Sequence, residues 1–331
     1  MNLNYKNIAL FILLQSLLVN SAFSTVSNNE FSIWLSDYKK LASEEGISQK
    51  TIDIAFDNVK FLENVIRYDR KQPEFFEDTI TYVRKRATNS RAKTAKKLFK
   101  KNENLFLKVE KEFFVEKEIL LALWAIETNF GKHVGKMDII SSLATLSFDK
   151  RRSEFFSSEL LSLLKLIDKD LIDPKTLYGS WAGAFGNFQF MPSTISRYAI
   201  DYDENNRIEL KLSLNDALAS AANYINQIGW KKSEPCFYRV KLTKEINKNY
   251  INSSARNISN KLTVTNWMKK GIVSFDKKNI NSSLKAALIL PDGKKDSPAF
   301  LVFENYEKIL KWNRSLRFGI SVCTLANMIK S

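Results

Sequence analysis

Leu120-Leu-Ala-Leu-Trp-Ala-Ile-Glu-Thr-Asn-Phe-Gly131 reads as a helix that is apolar on nearly every face. Ile119, Leu120, Leu121, Leu123, Trp124 and Ile126 leave little room for a wetted side, so a core position is expected. One carboxylate, Glu127, stands near the C-terminal end, and Gly131 supplies a helix stop. A buried carboxylate either protonates or finds partners, because the bare charge is costly away from water. An acid at the mouth of an apolar helix, its pKa raised by burial, suits general acid chemistry near neutral pH. A partly exposed glutamate in the last turn of an ordinary core helix has the same local sequence.

Outward from that helix, the rest of the chain restricts the chemistry. It has 331 residues, 44% hydrophobic and 12% aromatic, with ten glycines and six prolines. So few turn residues favour helices. A single histidine, His133, and two cysteines, Cys236 and Cys323, argue against a Ser-His-Asp triad or a His/Cys zinc site. Any catalysis therefore falls to carboxylates. Cys323 sits in an apolar helical pattern and reads as a small core residue, and the sequence leaves open whether it pairs with Cys236. The formal charge of +15 fits an anionic partner such as nucleic acid, a membrane surface or an anionic polymer; it equally fits a Lys-rich bias of the whole chain.

Residues 1–24 read as a signal peptide: Lys6 precedes the apolar run Ile8-Ala-Leu-Phe-Ile-Leu-Leu14, and Ala22-Phe-Ser24 offers small residues for cleavage. No cysteine follows that could carry a lipid. Export to the periplasm is the expectation. Next, Phe31, Trp34, Leu35, Tyr38 and Leu41 recur at helical spacing, and Ser48 looks like the cap of a second helix. Residues 75–111 read as a basic helical run, best taken as a solvated face. After the stretch Ile139 to Leu146, helices are also expected from Ser153, at 215–229, around Trp267 and at the C-terminus, with short strands at 237–242, 286–290 and 299–303.

Gly179-Ser-Trp-Ala-Gly-Ala-Phe-Gly-Asn-Phe-Gln-Phe-Met-Pro192 is a second organising stretch, with three of the ten glycines inside eight residues. Such density lets backbone approach a ligand or another segment. Ser180, Asn187 and Gln189 offer neutral hydrogen-bonding groups, and Trp181, Phe185, Phe188 and Phe190 offer ring faces, a set that suits sugars. A glycine-rich turn packed into a helical core is the alternative. Asp201-Tyr-Asp-Glu-Asn-Asn-Arg-Ile-Glu209 places oxygen side chains at loop positions 1, 3, 5 and 9, an EF-hand-like spacing. Position 6 is Asn206 and the acid at position 12 is absent, with Leu212 there instead; Asp216 lies further on and could reach back. A polar loop without metal fits the same residues.

Taken in order, these motifs resemble the lytic murein transglycosylase B family. Ala125-Ile-Glu-Thr-Asn-Phe-Gly131 resembles its catalytic motif, and Gly179 to Gly186 with Gln189-Phe-Met-Pro192 its second motif. Tyr198-Ala-Ile-Asp-Tyr-Asp203, the helix up to Trp230, Arg70-Lys-Gln-Pro-Glu-Phe75 and Ile309-Leu-Lys-Trp-Asn-Arg-Ser315 are similar to further family segments. The resemblance implies a mainly α, lysozyme-like catalytic domain over 25–235 with an EF-hand-like loop at 201–216. A small mixed α/β portion over 236–331 would complete a groove. It implies cleavage of the MurNAc-GlcNAc β-1,4 bond of peptidoglycan to 1,6-anhydromuramic ends, with Glu127 as sole acid and base and the substrate N-acetyl group assisting. Ser180, Gln189, Phe155, Arg151, Arg152, Trp312 and Asn313 would meet substrate. Asp201, Asp203, Asn205, Arg207 (through its carbonyl), Glu209 and Asp216 would hold a structural Ca²⁺, no cofactor being required. Phe155 and Trp312 stand where tyrosines occur in the family, which removes two sugar-facing hydroxyls. The implied partners are glycan strands met by a monomer, with room for other cell-wall enzymes; nucleic acid is not implied. A hydrolytic muramidase would need a second carboxylate, Asp138 or Asp149 being the nearest candidates, and a non-catalytic peptidoglycan-binding scaffold is the reading from another class.

Overall fold

The computed structural model describes residues 28–70, 77–275, 281–294 and 296–331. The signal peptide expected over 1–24, and positions 71–75 of the Arg70–Phe75 motif, lie outside the described residues.

The chain begins with a helix over 28–44 (α1), then α2 (Gln49–Phe56) and α3 (Glu63–Arg70). Ser48 caps α2 by accepting the Thr51 N–H at 3.3 Å. The basic stretch is three helices, not one run: α4 (Thr79–Arg86), α5 (Asn89–Lys101) and α6 (Glu103–Phe113). The breaks have local causes. Thr88 accepts the Arg91 N–H at 3.2 Å to start α5, and Asn102 at its end donates from Nδ2 to the Leu98 carbonyl at 2.9 Å. Then come α7 (Lys117–Thr128), β1 (Met137–Asp138), α8 (Ile139–Phe148), α9 (Ser153–Asp168) and β2 (Tyr178–Gly179). Two more helices follow, α10 (Pro192–Tyr198) and α11 (Leu214–Gln227). The remainder runs β3 (Phe237–Leu242), β4 (Ile251–Asn252), β5 (Leu262–Thr263), α12 (Val264–Lys269), β6 (Ile272–Ser274), β7 (Lys285–Ile289) and β8 (Ala299–Val302). It closes with α13 (Glu304–Trp312) and α14 (Leu316–Lys330).

These elements form two compact units, and the division does not fall at residue 235. The first unit holds residues 28–70, 136–184 and 191–193. At its centre α8, buried along its length, packs on the apolar face of α9. Phe31, Phe61 and Phe148 meet with ring centroids 5.4–5.7 Å apart. β1 and β2 pair antiparallel, Met137 opposite Gly179.

The second unit holds residues 77–135, 185–190 and 194–331. Its helical core is α7 against α14, with α4 and α5 also on α14. This is why the division runs elsewhere than 235: the last helix returns to cover the apolar faces of the earlier ones. α7 is buried from Ile119 through Ala125, as its all-apolar sequence requires. The sheet of this unit runs β4-β7-β8-β3-β6, with β5 also on β7. Its pairs are antiparallel except β4 with β7. Trp267 on α12 sits fully buried on the sheet and donates from Nε1 to the Ala286 carbonyl at 2.7 Å. The expected strands become β3, β7 and β8. The sequence reading missed β4, β5 and β6, which are two or three residues long and carry no readable alternation. Cys236, just before β3, forms a disulfide with Cys323 on α14, with Cα atoms 6.1 Å apart. Cys323 is thus buried, as its pattern suggests, and also bonded.

Candidate active site

Glu127 is half-buried on the last turn of α7. The helix stops at Thr128, earlier than the Gly131 stop expected from sequence. Asn129, Phe130 and Gly131 turn left-handed in succession, at φ 50°, 62° and 80°. The N–H groups of Asn129 and Phe130 close on the carbonyls of Ala125 and Trp124 at 3.1 Å each. This satisfies the last carbonyls of the helix and fixes the turn that carries Glu127.

A buried asparagine locks that turn. Trp124 Nε1 donates to Asn187 Oδ1 at 2.9 Å, and Thr128 Oγ1 donates to the Asn187 carbonyl at 2.7 Å. Asn187 Nδ2 donates to the carbonyls of Leu210 and Lys211 at 3.0 and 3.2 Å. One side chain therefore ties the end of α7 to the 201–216 loop. Two glycines make room for it. A Cβ on Gly131 would stand 2.6 Å from Asn187 Oδ1, and one on Gly186 would stand 2.8 Å from the Leu210 carbonyl oxygen. The backbone approach expected of the glycine-rich stretch is thus toward the chain itself.

Trp312, at the end of α13, donates from Nε1 to Glu127 Oε1 at 2.9 Å, across 185 residues of sequence. Packing explains the meeting: α13 lies on α14, and α14 lies on α7. Tyr306 anchors α13; it is fully buried and donates to the Leu316 carbonyl at 2.7 Å. An indole N–H only donates, so it serves an ionised carboxylate or the carbonyl oxygen of a protonated one. That favours an acid proton on Oε2. Trp312 is itself held by rings: Tyr224 stacks on it at 5.1 Å, and Phe190 and Phe188 meet it at 5.1 and 6.2 Å. Tyr198 stacks on Tyr224 at 4.5 Å. Burial pushes the Tyr224 phenol up to about 12, so it stays a hydroxyl at neutral pH.

Other residues singled out from sequence fall differently. Phe185, Phe188 and Phe190 are buried at 4% exposure or less, so they support the site from within and offer no face to a sugar. Gln189, in the same unit as Glu127, donates from Nε2 to the carbonyls of Val134 and Gly186 at 3.1 and 3.0 Å. Asn313 caps the C-terminal end of α13 directly after Trp312. Ser180, Phe155, Arg151 and Arg152 belong to the first unit. Ser180 Oγ accepts the Ala184 N–H at 3.0 Å within a tight turn, and Phe155 is 48% exposed. Arg151 and Arg152 both bind the carboxylate of Asp69, which is 2% exposed, Arg151 Nε at 2.7 Å. Burial alone would raise that carboxyl, and the two guanidinium groups outweigh it and hold it below the usual range.

In the 201–216 loop the structure brings Asp201, Asp203 and Asp216 together, one oxygen of each within 4.8 Å of the others. Asp216 is fully buried and accepts the N–H groups of Tyr202 and Glu209 at 2.9 Å each. Its burial, with Asp203 nearby, raises its pKa. Asn206 is left-handed at φ 68°, as its place in the loop requires. Glu209 stands outside the acid cluster and accepts from Asn205 Nδ2 at 3.1 Å, and the Arg207 N–H donates to Asn205 Oδ1 at 2.9 Å. Three converging carboxylates, one without access to water, match the oxygen donors a hard cation takes.

A family model described as the transglycosylase SLT domain matches residues 30–327. The chain belongs to this transglycosylase family. It is 31% identical over 205 residues to the membrane-bound lytic murein transglycosylase B of Escherichia coli (strain K12), a match covering 59% of this chain and 56% of that relative. The chain thus aligns with only about half of that protein's length. SltB3 from Pseudomonas aeruginosa, solved in complex with NAG-NAM-pentapeptide, is 31% identical with a TM-score of 0.83, covering 91% of this chain and 80% of that one. The Escherichia coli lytic transglycosylase Slt35, solved in complex with calcium, shares the fold at 24% identity and a TM-score of 0.75, covering 92% and 93%. The fold is therefore the mainly helical, lysozyme-like one expected, with its small sheet.

Within this transglycosylase family, Trp312 is the position whose reading changes most. Read from sequence, it removes a hydroxyl. In the structure it keeps a donor, and the donor is spent on Glu127. Tyr224 and Tyr198 lie outside the expected site, and Asn187, read as a hydrogen-bonding group for sugar, is spent on Trp124 and the 201–216 loop; nothing local marks these roles, because they rest on contacts distant in sequence.

Proposed function

We propose that the protein is a lytic transglycosylase that cleaves the MurNAc-GlcNAc β-1,4 bond of peptidoglycan and leaves a 1,6-anhydromuramic end. The observation that carries this reading is Glu127 at the end of a buried helix, gripped by the Trp312 indole amid stacked rings. Glu127, protonated, gives its proton to the glycosidic oxygen as the C1–O4 bond breaks. The substrate N-acetyl oxygen closes on C1. The Glu127 carboxylate then takes the proton of the C6 hydroxyl, and O6 displaces the N-acetyl oxygen from C1. One carboxylate suffices because the substrate supplies the nucleophile at both stages.

The two carboxylates named as candidates for a hydrolase have structural work. Asp138 accepts the Ser141 N–H at 2.6 Å as the cap of α8, and Asp149 accepts from Arg70 at 2.9 Å. This supports transglycosylation over hydrolysis. Gln189, Asn313 and Trp312, with Ser180, Phe155, Arg151 and Arg152 of the first unit, are proposed to meet substrate; the two arginines would do so while bound to Asp69. Asp201, Asp203 and Asp216, with Asn205, the Arg207 carbonyl and Glu209 from the same loop, are proposed to hold a structural calcium away from the chemistry. The proposed setting is the periplasm, reached by export through the segment 1–24, with the protein acting as a monomer on glycan strands. No helix among the described residues is long and apolar enough to cross a membrane. The test is digestion of purified peptidoglycan by wild type and Glu127→Gln, with products read by mass spectrometry. Anhydromuropeptides from wild type and none from the variant are expected. Reducing-end products would move the reading to a hydrolase, and intact binding without cleavage by wild type would move it to a scaffold.

A further inference from the structure

A pocket of about 400 Å³ opens beside the end of α13, lined by Arg256, Ile258, Glu307, Leu310, Lys311 and Arg314. Three cations face this one hollow. Its only lining carboxylate, Glu307, is paired with Lys261 at 2.6 Å. Among the described residues, Arg256, Lys311 and Arg314 have no carboxylate within ion-pairing distance, whereas Arg70, Arg86, Arg151, Arg152 and Arg317 each have one. Like charges converging in a concave wall repel one another and focus a positive potential into it. Such a site calls for an anion from outside the chain.

Its position says which anion. Lys311 and Arg314 flank Trp312 and Asn313 in sequence, and Trp312 grips Glu127. The Lys311 carbonyl accepts from Tyr224 Oη at 3.1 Å, the same ring that stacks on Trp312. Arg314 lies near enough to act on the Tyr224 phenol electrostatically. The pocket is therefore built onto the support of Trp312. Ile258 and Leu310 add apolar wall. That combination suits a short peptide that carries carboxylates more than a bare phosphate.

We propose that this pocket is a carboxylate-binding subsite for the peptide stem of the substrate, an inference that rests on the peptidoglycan reading above. A stem attached through its amino end keeps at least its terminal carboxylate. At roughly 3.3–3.6 Å per extended residue, a few residues carry that group from a sugar at Glu127 past the α13 end. Guanidinium groups bind carboxylates through paired N–H donors, so Arg256 and Arg314 give direction and Lys311 adds charge.

Binding tests this independently of cleavage. Three ligands are titrated against Glu127→Gln protein: NAG-NAM-pentapeptide, the same disaccharide stripped of peptide by an amidase, and a neutral N-acetylglucosamine oligomer. The pentapeptide ligand is expected to bind more tightly than the stripped one. In the triple variant Arg256→Gln, Lys311→Gln, Arg314→Gln in the same background, that advantage is expected to fall by about tenfold at low salt, as three partly exposed charge pairs allow. Binding of the other two ligands is expected to stay within about twofold of the unaltered protein. Raising the salt on the unaltered protein should erode the same preference, a readout that does not depend on the variant folding. Equal binding of pentapeptide and stripped ligands, or a preference that survives both the variant and high salt, would overturn the proposal. A loss of affinity for the stripped ligand as large as for the pentapeptide would also overturn it, by assigning the pocket to the lactyl carboxylate. Failure of the catalytic reading would show separately, as wild type that binds these ligands and cleaves none.

Discussion

Glu127 and Asp216 are both carboxylates on helices of the same unit, and they are surrounded in opposite ways. Asp216 is fully buried, and each of its oxygens accepts a backbone N–H. Glu127 is half-buried, and Trp312, a side chain held by stacked rings, grips its Oε1. An acid fixed by backbone on both oxygens sets the shape of a loop, and proton exchange there would undo that shape. An acid steadied by a side-chain donor can gain and lose a proton without the backbone moving. Asp69, buried between two arginines, belongs with Asp216 as a frame acid. The comparison separates chemistry from scaffolding among carboxylates that look alike in sequence.

The largest expected effect sharpens this contrast. Glu127→Gln should lower turnover by at least about a thousandfold, the scale of a lost general acid, while leaving the melting temperature unchanged within error. A matching loss of stability, seen by calorimetry, would place Glu127 among the frame acids instead. Asp69→Asn should do the reverse, costing about 1–3 kcal/mol of stability by leaving two half-exposed guanidinium groups without their charge partner. Its pH dependence has a definite sign. The folded carboxyl is held below its ordinary value, so its contribution is present at neutral pH, above the unfolded pKa. It is lost as pH falls through the depressed folded value, and urea melts of wild type and variant should converge in acid.

Trp312→Phe tests the grip itself. The ring packing is largely kept and the N–H is removed, so kcat should fall by about tenfold, or roughly 1.4 kcal/mol, with a smaller change in KM. The alkaline limb of its pH–rate profile, where Glu127 loses the proton it must donate, should move upward, because the donor that favours the ionised form is gone. An unchanged profile would reduce Trp312 to packing. The smallest effect belongs to the loop: millimolar calcium should stabilise the protein by about 1 kcal/mol if present at several times its dissociation constant, and Asp203→Asn should abolish the gain. A calcium response that survives this variant would break the assignment of Asp201, Asp203 and Asp216 to one ion.

The parts of this molecule legible in the sequence are those written locally. The apolar periodicity of α7 and the glutamate at its end needed no partner to be seen, and Ser48 announced its helix by one side chain. Thr88 and Asn102 gave the same kind of signal, which the basic run around them masked. Asn187 was legible only as a neutral hydrogen-bonding group, because its locking role lies in bonds to Trp124 and Leu210, 63 and 23 residues away. Trp312 was read as a lost hydroxyl because its distance from Glu127 is set by two helix packings and not by any motif. Arg151 and Arg152 were read for substrate alone, because sequence does not show the buried Asp69 they also hold. The Cys236–Cys323 bond, 87 residues apart, is likewise a property of α14 returning beside β3.

The central claim is that one carboxylate cuts the glycan without water. It is tested most directly by digesting peptidoglycan with wild-type protein in water enriched in heavy oxygen and weighing the new muramic ends. The account predicts anhydro ends that carry no label, because the C6 hydroxyl of the sugar itself closes the ring. Reducing ends that carry one heavy oxygen would contradict it and would require a second group to activate water.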